Sequence, residues 1–151
     1  MTEKATLVDK IRSRSARVGV IGLGYVGLPL AVEFANAGFT VLGIDTDASK
    51  VAAITSGDSY ITDLPADVIG GLVSSGKFVA SQEYEAISEV DTISICVPTP
   101  LRKTRDPDMS YVVNAAEQIS AHLRPGMLIV LESTTYPGAT TEVVLPRMLS
   151  N

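Results

Sequence analysis

The stretch Val18-Gly19-Val20-Ile21-Gly22-Leu23-Gly24-Tyr25-Val26-Gly27 decides the fold. It opens as a run of β-branched residues, breaks into Gly-x-Gly-x-x-Gly and enters an alanine-bearing helical segment. Each glycine has its own physical reason. Gly22 allows a tight turn off the strand, Gly24 lacks a Cβ and lets a pyrophosphate approach the backbone, and Gly27 lets the new helix pack close to the strand. The amides at the start of that helix have no intrahelical partner and suit phosphate oxygens. Glycines alone say little, because such turns are common. Here a second strand, Thr40-Val41-Leu42-Gly43-Ile44, follows and ends at Asp45, roughly 20 residues on, where the acid that binds an adenosine ribose belongs in this arrangement.

Outward from this unit, strands and helices alternate. Leu7, Val8 and Ile11 have helical spacing and predict a short amphipathic helix over 3–14, part of a lead-in that spans 1–17. The helix after the glycines runs from about Tyr25 to Ala37 with Val26, Leu30 and Phe34 as its apolar stripe and Gly38 as its stop. Asp47 is placed to cap a helix carrying Val51, Ala52 and Ile54. Pro65 opens another, with Val68, Ile69 and Leu72 apolar. Phe78–Ala80 reads as a third strand, Thr92–Val97 as a buried strand stopped by Pro98-Thr99-Pro100, and Met127–Leu131 as the next. Asp108 is expected to cap a helix bearing Val112, Ala116, Ile119 and Leu123, and a last helix runs from about Ala139 to Leu149.

Continuous apolar strands between helices mark a parallel sheet covered on both faces, so 18–151 reads as one doubly wound α/β domain. Its ligand crevice lies beyond the carboxyl ends of the strands. Three segments meet there: Gly22–Gly27, the loop after Val97, and Glu132-Ser133-Thr134-Thr135.

Composition narrows the function classes. The net charge of −5 disfavours a nucleic-acid partner, whose binders need a basic face, and Arg12, Arg14 and Arg17 read as a solvated face. No apolar run approaches the ~18 residues of a membrane span, and Met1 to Lys10 carries no signal-peptide core. The single cysteine, Cys96, forms no intrachain disulfide and suits a reducing cytoplasm. It reads as a small buried hydrophobe, and with His122 as the one histidine neither a metal site nor a Cys–His dyad has support.

Asp45 accepts from ribose hydroxyls and repels a 2′-phosphate, which favours NAD over NADP. Lys50, one turn into the next helix, is open between the adenosine side, a phosphate and solvent. Thr99 is held stiffly between two prolines at the sheet's ligand edge, and Thr134 stands at the same edge one strand later. Ser133 and Thr135 are alternatively turn caps.

Four segments together resemble the N-terminal, NAD-binding domain of the UDP-glucose/GDP-mannose dehydrogenase family. They are Gly22–Ala31, Cys96-Val97-Pro98-Thr99-Pro100-Leu101, Pro107-Asp108-Met109-Ser110-Tyr111-Val112, and Leu131-Glu132-Ser133-Thr134-Thr135-Tyr136-Pro137-Gly138. The last of these and Ser59-Tyr60-Ile61 look most like the branch that oxidises UDP-N-acetylglucosamine at C6.

The resemblance implies a Rossmann-like fold and an NAD-dependent oxidation of a nucleotide sugar's C6 alcohol to a carboxylate. It also implies NAD contacts from Tyr25, Val26, Asp45, Lys50, Thr99 and Thr134, with Thr134 near the reacting centre, and a parent enzyme that is a homodimer or larger. The family's cysteine nucleophile, lysine and asparagine come from a region after this domain, and a glutamate from just beyond its last helix. The expectation is therefore a cofactor-binding portion, inactive alone, of a cytoplasmic enzyme in polysaccharide precursor synthesis. Two rivals stand beside it: the first domain of a 3-hydroxyacid or 6-phosphogluconate type dehydrogenase, and a stand-alone dinucleotide sensor. Val97-Pro98-Thr99-Pro100 and Ser133–Gly138 speak against the first.

Overall fold

Five short runs of β-branched and aliphatic residues line up side by side in the computed structural model, which describes residues 2–150. They are β1 (Arg17–Ile21), β2 (Thr40–Ile44), β3 (Phe78–Ser81), β4 (Thr92–Ile95) and β5 (Leu128–Leu131). All neighbours pair in parallel, in the order β3-β2-β1-β4-β5. The strand order reverses between β1 and β4, and a sheet of this kind opens its crevice there, where the connections leave in opposite directions.

Alternate side chains of the strands feed two cores. On one face Val18, Val20, Val41 and Phe78 meet Leu28, Ala31, Val32 and Ala35 of α2 (Gly27–Asn36) and Ile69 of α4 (Ala66–Ser74). On the other, Ile21, Ile44, Ile93 and Ile95 meet Ala115 and Ile119 of α5 (Ser110–Ser120) and Ile87 of a 3₁₀ turn, Tyr84–Glu89. Helix α1 (Glu3–Arg12) sends Ile11 against the first core and is tied to the sheet by Lys10, whose Nζ lies 2.7 Å from the buried carboxylate of Asp91. That carboxylate also accepts from the Arg17 amide at 2.9 Å and from Arg124 at 3.1 Å. Arg12, Arg14 and Arg17 are exposed, and two of them have contacts: Arg14 lies over the Phe39 ring at 4.9 Å and Arg17 pairs with Glu89 at 2.6 Å.

Helix α3 (Ala48–Thr55) starts as its cap foretells, with the Asp47 carboxylate accepting from the Ser49 amide at 2.9 Å. Three expectations need correction. The buried stripe of α2 is Leu28, Ala31, Val32 and Ala35, whereas Val26 is 62% exposed. The helix begins only at Gly27, so Val26 precedes the helical period; Leu30 and Phe34 remain partly buried against the same core. Asp108 stands one residue before the N-cap, Met109, and satisfies the Ser110 amide at 3.0 Å while pairing with Arg102. The last helix is not regular. A wide π turn, Thr140–Val144, runs into one turn of α6 (Leu145–Met148), where Pro146 has no amide to donate to a regular ladder.

Candidate functional site

The carboxyl ends of β1, β2 and β4 and the start of α5 enclose a cleft of about 880 Å³. The segments that the sequence brings to this edge meet in it: Gly22, Gly24, Tyr25 and Val26 from the glycine loop, Asp45 and Lys50 after β2, Thr99 after β4, and Thr134 after β5. Gly27 is the one candidate that does not line it. It is buried against the strand, where a Cβ would lie 1.7 Å from the Gly22 carbonyl oxygen, so its smallness serves helix packing.

The glycine loop offers donors. Among the described residues, the amides of Gly24, Tyr25 and Val26 have no acceptor, and no side chain caps α2. Its first turn also carries no acid, so the positive end of the helix faces the cleft unneutralised. A Cβ on Gly24 would meet nothing within 4 Å, which leaves room for a group larger than water against the backbone. Gly22 turns at φ +91°, a conformation that a side chain would strain. The pyrophosphate of a dinucleotide fits this donor set by charge and by space.

Asp45 is buried and has two tasks inside the protein. One oxygen accepts the Leu23 amide at 2.8 Å, the other the Asp47 amide at 2.9 Å, and Lys50 Nζ lies 3.5 Å from the first. The oxygen that serves Asp47 has a further lone pair, so acceptor capacity toward the cleft remains. Lys50 thus stands at the β2 end of the cleft, partly exposed and paired with Asp45.

At the far end Thr99 and Thr134 are joined: the Thr99 hydroxyl donates to the Thr134 carbonyl at 2.6 Å. Ser133 donates to the Val97 carbonyl at 2.8 Å, which makes it a clamp between the two loops. Thr134 leaves its own hydroxyl without a partner among the described residues. Cys96 is 8% exposed; burial and then the charge of Glu132 push its thiol up to about 11, which is unsuited to nucleophilic work at neutral pH.

Tyr84, Tyr111 and Asn114 also line the cleft; Tyr111 belongs to the Pro107–Val112 segment, and no motif in the sequence marks the other two. Tyr84 comes from the 3₁₀ turn, and burial followed by the Asp45 charge raises its phenol above the usual value. The one available signal was an aromatic ring in a polar connection after β3. No group of metal-binding side chains occurs among the described residues, and no helix there is long and apolar enough to cross a membrane.

Residues 16–151 match the model of the UDP-glucose/GDP-mannose dehydrogenase family, NAD binding domain. The UDP-N-acetyl-D-mannosamine dehydrogenase of Pyrococcus horikoshii is 35% identical over 136 residues, covering 89% of this chain and 32% of that protein. The UDP-N-acetyl-D-glucosamine 6-dehydrogenase of Pseudomonas aeruginosa is 34% identical, covering 88% of this chain and 31% of that one. Among solved structures, the NDP-N-acetyl-D-galactosaminuronic acid dehydrogenase of Methanosarcina mazei Go1 superposes with a TM-score of 0.84 at 33% identity, over 98% of this chain and 33% of that one. The chain thus spans about a third of the length of the curated relatives it matches.

Proposed function

Since the chain belongs to the NAD-binding domain of the UDP-glucose/GDP-mannose dehydrogenase family, we propose that it holds the NAD of an enzyme that oxidises the C6 alcohol of a UDP-linked N-acetylhexosamine to a carboxylate. The observation that carries this reading is the convergence of three unpartnered amides, Gly24 to Val26, with the Asp45 carboxylate in one cleft. The amides receive the pyrophosphate, Asp45 receives the adenosine ribose with Lys50 beside it, and Thr99 and Thr134 hold the nicotinamide half. NAD supplies the hydride acceptor, and taking an alcohol to a carboxylate uses two of them. Thr134, with its free hydroxyl, stands toward the reacting centre.

Relatives named for the mannosamine epimer are 35–39% identical and one named for the glucosamine epimer is 34% identical, which supports the sugar class rather than one epimer. The lone buried thiol suits a reducing, cytoplasmic setting. Calorimetric titration of the chain with NAD and NADP tests the cleft, with NAD expected to bind more tightly; no NAD binding overturns the assignment. NADH formation from UDP-N-acetylglucosamine and UDP-N-acetylmannosamine, by a polypeptide of the relatives' length, tests the reaction.

A further inference from the structure

The glycine loop is held at Leu23, the residue between Gly22 and Gly24. Leu23 is fully buried, and its peptide groups are gripped from two directions. The amide donates to Asp45 at 2.8 Å, and the carbonyl accepts the Tyr60 hydroxyl at 2.5 Å. Tyr60 lies between α3 and α4, and its ring packs against the core beneath α2. The segment is itself braced: the Ser59 hydroxyl donates to the Ile61 carbonyl at 3.0 Å, and Ile61 is buried. Gly24, one residue beyond Leu23, has its carbonyl held by the Leu28 amide at 3.0 Å, while its own amide has no acceptor.

We propose that Tyr60 is a positioning residue that sets the phosphate-binding loop through its bond to the Leu23 carbonyl. The inference rests on the NAD-binding reading above and assigns the preorganisation of that site to a side chain outside the glycine motif. Its physical content is that the loop amides are aimed before the ligand arrives. Without the hydroxyl, the bound ligand has to order them, and affinity falls by that cost. The hydroxyl is a dependable donor because burial, with the charges of Asp45 and Asp47, raises its ionisation well above the ordinary tyrosine range.

The test is Tyr60→Phe, which keeps the ring in the core and removes only the donor. NAD, ADP and adenosine are titrated by calorimetry into both proteins, with thermal melts and amide exchange recorded. Expected are a cooperative melt, NAD and ADP weakened about five- to tenfold, adenosine within twofold, and faster exchange only at the Leu23 and Leu28 amides, which the loop's own bonds protect. NAD affinity within twofold of wild type overturns the proposal, as does an equal loss for adenosine. A variant with no cooperative melt overturns it as well, because the hydroxyl then holds the fold and not the loop. A wild-type chain that binds no NAD refutes the reading of the cleft instead, a result distinct from all of these.

Discussion

Two glycines of the same motif should respond in opposite ways to the same added methyl. At Gly24 the new Cβ meets nothing within 4 Å, and the residue has no positive φ to strain. Gly24→Ala should therefore leave the fold intact and raise stability by up to about 1 kcal/mol through the unfolded chain. Its methyl, however, takes the space at the cleft that the pyrophosphate needs. Displacing that group loses at least one charge-assisted hydrogen bond, ~1.5–3 kcal/mol, or roughly 10- to 150-fold in NAD affinity. At Gly27 the Cβ would lie 1.7 Å from the Gly22 carbonyl oxygen and 3.1 Å from the Cys96 Cβ.

Ordinary C···O contact is about 3.3–3.6 Å, so α2 has to retreat by roughly 1.5–2 Å from β1. The clash is with backbone, which no rotamer change relieves, so the cost belongs at or above the ~3 kcal/mol end of overpacking. For a domain of this size that lowers the melting temperature by roughly 6–12 °C. Calorimetric titration and thermal melts of both variants provide the assay. A Gly24→Ala protein that binds NAD within twofold of wild type, or a Gly27→Ala protein that melts with it, refutes the division of labour between the two positions.

Asp45→Ala should weaken NAD by about tenfold or more while NADP binding holds or improves, because the ribose acceptor is lost and Lys50 is released from its 3.5 Å pair; competition binding checks this, and an unchanged NAD/NADP ratio moves the ribose site away from β2. The 151-residue chain should form no NADH with either UDP-N-acetylhexosamine in a spectrophotometric assay, since its one thiol is buried with a pKa raised to about 11; sustained turnover contradicts this. Burial alone would raise the carboxyl of Asp91, but hydrogen bonds from Lys10, the Arg17 amide and Arg124 outweigh it and hold the pKa below the usual value. A depressed folded pKa gives stability that is complete above the unfolded value, about 4, and lost as pH falls through the lower folded one. Melts against pH should show Asp91→Asn well below wild type at neutral pH and the gap closing below about pH 4; a constant gap refutes the network.

The sheet and the cleft were legible because each depends on local chemistry. Buried parallel strands need near-continuous apolar runs, and Val18–Ile21 and Val41–Ile44 supply them. The turn off β1 needs small residues at fixed spacing, and the residue after β2 is fixed by strand length. The errors arose where a helix boundary governs the pattern. Val26 shares the spacing of Leu30 and Phe34 yet sits before the first helical residue, where spacing no longer says which way a side chain points. The π turn before α6 follows from a proline whose effect on the ladder depends on the turn ahead of it.

What sequence spacing could not reveal is the coupling inside the site. Asp45 was legible as a candidate for the ribose, but its bond to the Leu23 amide joins the end of the cleft proposed for the ribose to the glycine loop. Tyr60 closes that link from a segment 37 residues away in the chain, and the contact exists only once α2 has docked on the sheet. The two halves of the adenosine diphosphate site are therefore not independent. Removing Asp45 strips the ribose acceptor and also leaves a buried amide without its partner, a cost of about 1–3 kcal/mol before any ligand binds. The effect of Asp45→Ala on NAD is accordingly a sum of ribose recognition and loop order. Comparison with adenosine, which carries the ribose and no phosphate, separates the two: the ribose share appears in both ligands, and the loop share in NAD alone.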